Sequence, residues 1–229
     1  MTPERYQKIV DVLNHRQHDL TLLLDEVHKG RNLSAIIRSA DAHGIDTVHS
    51  VNPRAGFQHY RGTALGSHKW VDVKRYDRVE EAAYLLKNQG FQLVAAHLSD
   101  TAIHYRDIDY TVPTAIILGT EKQGVSDAAV QLADHHAIIP MRGMVASFNV
   151  SVACGILLAE IQHQRETSQS YQHQRLPQAL YQQRLFHWCQ PTLAEFCDAR
   201  QLPYPPLDSE GEVIDGATWY RSTREHESS

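Results

Sequence analysis

Cysteine is scarce in this chain. Cys154, Cys189 and Cys197 are an odd number with no CxxC spacing in 229 residues, so neither a disulfide framework nor a thiolate zinc site is indicated. No uninterrupted apolar run approaches the roughly 18 residues that a membrane span requires. The opening residues, MTPERYQKIV, carry charge where a secretory signal needs an apolar segment. A soluble, cytoplasmic protein without a membrane partner is the expectation. Basic charge is not in excess either: the formal net charge is −5, which excludes a surface coated for non-specific nucleic-acid binding but leaves room for a local basic patch. The 15 histidines are scattered, and no HExxH-type pair places two on one helical face, so no metal is expected.

Two nucleotide signatures are missing as well. Gly119 and Gly124 have the separation of a phosphate-binding P-loop, but Val125 and Ser126 follow where Lys and Ser/Thr are needed. No G-x-G-x-x-G follows the first strand, which removes the usual dinucleotide fingerprint.

With 42% hydrophobic residues the chain can bury a real core, and its length suits one domain with extensions. Thr2, Pro3 and Glu4 start a helix with Tyr6, Ile9, Val10 and Leu13 on one face. Residues 20–27 read as a buried strand. Asn32 is expected to cap a helix burying Ala35, Ile36 and Ala40, which Gly44 closes. Further strands are expected at 46–51, 69–76, 91–98, 114–118 and 137–140. A D-x-x-E box at Asp77 and Glu80 predicts one helix start and Ser126 another. Residues 52–67 form a long connection bearing Arg54, His59, Tyr60 and Arg61, of a length that is often functional. Alternating strands and helices predict an α/β fold, a parallel sheet flanked by helices, with ligands outside the carboxyl ends of its strands.

The stretch 137–160, AIIPMRGMVASFNVSVACGILLAE, changes character twice: a β-favouring run, an apolar glycine loop, then a helix with Val150, Cys154, Leu157, Leu158 and Ile161 on one stripe. Such a loop sits poorly in water. It should be covered by its own protein, a partner subunit or a ligand. Beyond it the composition turns polar and Gln-rich, followed by two helices at 177–188 and from a T-x-x-E box at Thr192 and Glu195.

Three segments carry a more specific message: NLSAIIR at 32–38, ILGTEKQGV at 117–125 and IIPMRGMVASFNVSVA at 138–153. Their order and spacing resemble the SpoU branch of the SPOUT methyltransferases. HLSD at 97–100, RDIDY at 106–110 and the helical C-terminal part extend the likeness over essentially the whole chain. The resemblance implies an N-terminal helical extension at 1–19, a methyltransferase core at 20–162 and a C-terminal helical extension and tail at 163–229. It further implies a deep trefoil knot at about 115–160, an exception to the rule of unknotted connections.

The implied activity is S-adenosylmethionine-dependent 2′-O-methylation of the ribose of guanosine 18 in the tRNA D-loop, by a homodimer. Carried onto this sequence, the family's cofactor positions are Ala96, His97, Leu118, Gly119, Ile139, Met144 and Phe148, and its catalytic positions are Arg38, Asn32, Glu121, Ser147 and Asn149. Candidate tRNA phosphate contacts are Arg5, Lys8, Arg16, Arg31, Arg54, Arg61, Arg165, Arg175 and Arg184. Two alternatives stand beside this reading: methylation of rRNA or another tRNA position, and a non-catalytic cofactor-binding RNA-binding protein. The core begins almost at once, whereas the rRNA relatives typically carry a separate N-terminal RNA-binding domain.

Overall fold

The computed structural model describes residues 1–51 and 69–227; the connection at 52–67, with Arg54, His59, Tyr60 and Arg61, lies outside the described residues. In chain order the elements are α1 (Pro3–Asn14), β1 (Leu20–Leu24), α2 (Gly30–Ala42), β2 (Thr47–Val51), β3 (Asp72–Tyr76), α3 (Val79–Asn88) and β4 (Gln92–Ala96). They continue with β5 (Ile103–His104), β6 (Thr114–Leu118), α4 (Asp127–Leu132), β7 (His135–Ile138), α5 (Val150–Thr167), α6 (Gln178–Cys189), α7 (Pro191–Arg200) and α8 (Gly216–Glu227). Two compact units result: Arg16–Arg175, and Met1–His15 together with Leu176–Ser229.

The larger unit is a seven-stranded sheet in the order β3-β2-β1-β6-β4-β7-β5, and every described pairing is parallel. Every residue of β1 and β6 is buried, as the central strands of a sheet covered on both faces must be. Alternation sorts the side chains: Leu20, Leu22 and Leu24 face the layer with Ile36, Ala40, Leu157 and Ile161 of α2 and α5, while Leu23, Leu93 and Ile117 meet Ala82, Leu86 and Ala129 of α3 and α4.

Several boundaries differ from the sequence expectation for identifiable reasons. The first strand stops at Leu24 because Glu26 adopts φ 56°, while the Asp25 amide still donates to Leu118 O at 2.8 Å. Asn32 does not cap α2: the cap position is Lys29, and the Asn32 side chain is committed elsewhere. The D-x-x-E box does not cap α3 either, since Arg78 holds the cap position without a side-chain cap bond and pairs with Glu80 at 2.9 Å. Nor does Thr192 start α7, which follows Gln190 with Pro191 in its first turn. By contrast, Ser126 caps α4 by accepting from the Ala129 amide at 3.4 Å, and Thr2 caps α1. β5 escapes sequence reading because two residues carry no alternation, and α8 because its second half is wholly polar and leaves no apolar repeat.

In the smaller unit α6 packs on α1 and α7. Gly211, at φ 78°, lies so close to Tyr6 that a Cβ there would stand 2.7 Å from its ring. His187 hydrogen-bonds the Tyr204 hydroxyl at 2.8 Å, and that hydroxyl donates to Asp198, fastening the segment after α7.

Candidate active site

The sheet order places the carboxyl ends of β6, β4 and β7 side by side. Beyond β6 the chain turns back on itself, with Thr120 N donating to Gly124 O at 2.9 Å and Gly124 N to Thr120 O at 2.8 Å. A Cβ on Gly119 would lie 2.0 Å from the Gly124 carbonyl, so only glycine fits; Gly124 itself has φ 71°. The buried Asp25 carboxylate accepts from Ser126 N at 2.7 Å and anchors the far side of this hairpin to the end of β1. The hairpin presents Glu121.

Glu121 is the meeting point of three distant segments. Its Oε1 accepts from Asn32 Nδ2 at 2.5 Å and from Asn149 Nδ2 at 2.9 Å, and its Oε2 pairs with Lys29 Nζ. Asn149 Nδ2 also reaches Asn32 Oδ1 at 3.2 Å. The other end of the Asn149 amide caps α5, accepting from Ser151 N at 2.9 Å and Ser151 Oγ at 2.6 Å. The structure thus joins Asn32, Glu121 and Asn149 into one hydrogen-bonded cage, adding Lys29 and Ser151, which sequence reasoning missed. A lysine at the positive end of a helix, where cations are disfavoured, was the available signal.

Arg38 is not part of the cage. It lies six residues after Asn32 on α2, about 9 Å further along the axis and roughly 120° around it. Its side chain is exposed and makes no hydrogen bond or ion pair with a described residue. Ser147 is likewise exposed, with no hydrogen bond to a described residue.

Of the expected cofactor positions, Leu118 and Gly119 are buried at the end of β6, while Ala96 and Ile139 are partly buried against the core. His97 follows β4 with its ring edge-on to His136 at 5.5 Å; burial, then the neighbouring imidazole, lowers its pKa. His136 is held by Ser99 Oγ at 2.7 Å and Val130 O at 3.2 Å; the carbonyl can only accept, so Nε2 donates to it. The glycine loop is not covered by this chain: residues 142–149 are all exposed, with Met144 at 103% and Phe148 at 38%. Leu98, Val145 and Val152 add further uncovered apolar surface.

Two expected tRNA contacts are corrected. Arg165 is fully buried, donating to Asp19 Oδ1 at 2.6 Å, to Gln17 Oε1 and to the carbonyls of Asp19, Tyr110 and Val112 at 3.0 Å. Arg16 is buried too, donating to Ile45 O and Asp41 Oδ1 at 2.6 Å and Trp70 O at 3.0 Å. Arg175 pairs with Asp19 at 2.6 Å, whereas Arg5, Lys8 and Arg31 are exposed. Among the described residues no group of His, Cys, Asp or Glu is arranged to hold a metal, and no helix is long and apolar enough to cross a membrane.

A wholly parallel α/β sheet whose carboxyl edge gathers a polar cage and an uncovered apolar loop has the features with which such sheets receive a ligand at that edge, and Arg38 stands exposed further along α2. The chain belongs to the SpoU rRNA methylase family, whose sequence profile matches residues 19–159, with a C-terminal SpoU profile matching 163–216. It is 45% identical over 222 residues to the tRNA (guanosine(18)-2′-O)-methyltransferase of Escherichia coli K12, covering 96% of this chain and 97% of that one. Its fold is similar to the crystal structure of the A. aeolicus TrmH/SpoU tRNA modifying enzyme, with TM-score 0.75, 39% identity, and 81% and 94% of the two chains covered. It is also similar to the SpoU methyltransferase AviRb from Streptomyces viridochromogenes in complex with the cofactor AdoMet, with TM-score 0.59, 25% identity, and 67% and 59% covered.

Proposed function

We propose that this chain methylates the ribose 2′-hydroxyl of guanosine 18 in the D-loop of tRNA, using S-adenosylmethionine. The observation that carries the reading is the cage of Asn32, Glu121 and Asn149, whose Asn32 lies on the same helix as the exposed Arg38. These are the residues that the resemblance assigns to catalysis, and relatives of nearly equal length bear this activity in their names.

The residues at the carboxyl edge fit such a cofactor. Three parallel strands end together, Gly119 lets the hairpin fold tightly back on the end of β6, and Met144 and Phe148 offer uncovered apolar surface for a flat ring. Leu118, Gly119, Ala96, His97 and Ile139 would hold it largely through main-chain groups. When bound, it supplies an electrophilic methyl group on a sulfonium.

A ribose hydroxyl is a poor nucleophile and must be aligned and relieved of its proton. Arg38 stabilises the negative charge that develops on the 2′-oxygen, while another group or solvent takes the hydroxyl proton. The cage holds the amino end of α2 against the hairpin and the start of α5, which sets where Arg38 stands. Ser147, in the exposed loop, is assigned by the resemblance to ordering the cofactor loop and the arginine.

The exposed apolar loop with Leu98 and Val152 is reason to expect a homodimer in which a second copy covers this face and completes the site. The knot at about 115–160 belongs to the same reading, as does cytoplasmic action on tRNA with Arg5, Lys8 and Arg31 available to phosphates. Ribose-methylation mapping of total RNA from cells with and without the gene tests the proposal. Loss of methylation at the D-loop guanosine alone is expected; an unchanged D-loop overturns it.

A further inference from the structure

We propose that Lys29 is a positioning residue for methyl transfer, acting through Glu121 to fix the orientation of Asn32 and Asn149; this rests on the function proposed above. Lys29 occupies the cap position of α2 and gives that helix no side-chain cap bond. A cation is disfavoured there by the helix dipole, so its placement needs another cause. That cause is the carboxylate of Glu121: one oxygen takes Lys29, while the other takes the amides of Asn32 and Asn149.

The division of partners has a directional consequence. An ionised carboxylate only accepts hydrogen bonds, so both asparagines must turn their NH2 groups toward it. Their amide oxygens are then set: Asn32 Oδ1 meets Asn149, and Asn149 Oδ1 caps the first turn of α5 at Ser151. One positive charge thereby orders a relay running from α2 through the hairpin to α5. Lys29 touches no reacting atom in this scheme; its effect reaches the chemistry through the placement of α2, which carries Arg38. The Lys29 side chain is 55% exposed and that of Glu121 21%, so the pair contributes little to global stability and substituted chains should fold.

The test is steady-state methyl transfer to tRNA by the full chain, comparing Lys29→Gln, Lys29→Arg, Glu121→Gln and the double substitution Lys29→Gln with Glu121→Gln. Lys29→Gln should lower kcat about tenfold while moving KM for tRNA and cofactor affinity by less than about twofold, and Lys29→Arg should recover most of the loss. The double variant should be no slower than Glu121→Gln alone, because Lys29 then has no carboxylate to act through. Unchanged kcat, a loss confined to tRNA KM, or losses that multiply in the double variant would each overturn the proposal. The side-chain amide NMR signals of Asn32 and Asn149 give a readout independent of activity: they should move in Lys29→Gln and return in Lys29→Arg, and absence of movement overturns the inference. An unsubstituted chain that methylates no tRNA would refute the proposed function instead, with the amide signals still deciding the role of Lys29.

Discussion

The two ends of the sheet use the same chemistry to opposite effect. At the amino ends, Arg165 ties Asp19, Gln17 and three carbonyls together in the interior, and Arg16 does the same for Ile45, Trp70 and Asp41. At the carboxyl ends, Glu121 collects Lys29, Asn32 and Asn149 in a cage open to solvent, and Arg38 stands exposed further along α2. An arginine whose donors are consumed by fixed acceptors is architecture. One whose donors are left over is available to a substrate.

The largest effect should come from the closed end. Arg165→Met leaves buried carbonyls and part of Asp19 without their donor, and should destabilise the fold by about 3–5 kcal/mol in urea unfolding. A loss below about 1 kcal/mol would mean that the hub is dispensable.

At the open end the balance reverses. Arg38→Lys should lower kcat for tRNA methylation by roughly 10²–10³ with cofactor affinity and unfolding midpoint nearly unchanged, because a lysine cannot reproduce the planar fork of donors. Ordinary turnover in that variant would remove the functional half of the contrast.

His49 sharpens the comparison in pH. It sits buried in β2, 2.9 Å from the Tyr76 hydroxyl, and burial, reinforced by Lys74, lowers its pKa from 6.5 to about 4. Because the folded pKa is the lower one, the unfolded chain binds the proton first as pH falls. The stability is therefore intact above about 6.5 and lost as pH drops towards 4, by roughly 3 kcal/mol in total. Replacing it, as His49→Gln, should flatten the acid limb of stability against pH over that window; an unchanged limb would assign acid sensitivity elsewhere. The smallest effect expected is that of Ser126→Ala, which removes the α4 cap and should cost about 1 kcal/mol in the same unfolding assay.

Much of this organisation was legible in the residues. Alternation and helical spacing located β1, β2, β4 and β6 to within a few residues, Ser126 and Thr2 announced their helices, and Gly44 marked a helix end that adopts φ 78°. Asn32, Glu121 and Asn149 could be named together only through the resemblance to a family, since nothing local in NLSAIIR or GTEKQGV says that they touch. The misreadings share one cause. Asn32 and the Asp77 box look like caps by local rules, but other side-chain partners, Glu121 far along the chain for Asn32 and the nearby Arg78 for Glu80, claim the same groups. Arg16 and Arg165 look like surface cations for the same reason: their acceptors are main-chain carbonyls, which every sequence contains.

Sequence by itself determined the α/β alternation and an apolar loop that could not be content in water. Tertiary structure decided which polar groups were spent and which were spare. That decision depends on strand order: only the adjacency of β6, β4 and β7, with α2 and α5 packed over them, brings Lys29, Asn32, Glu121 and Asn149 within hydrogen-bonding distance. Hydrogen bonds act over about 3 Å, and no spacing along the chain encodes a distance that short between residues so far apart in it.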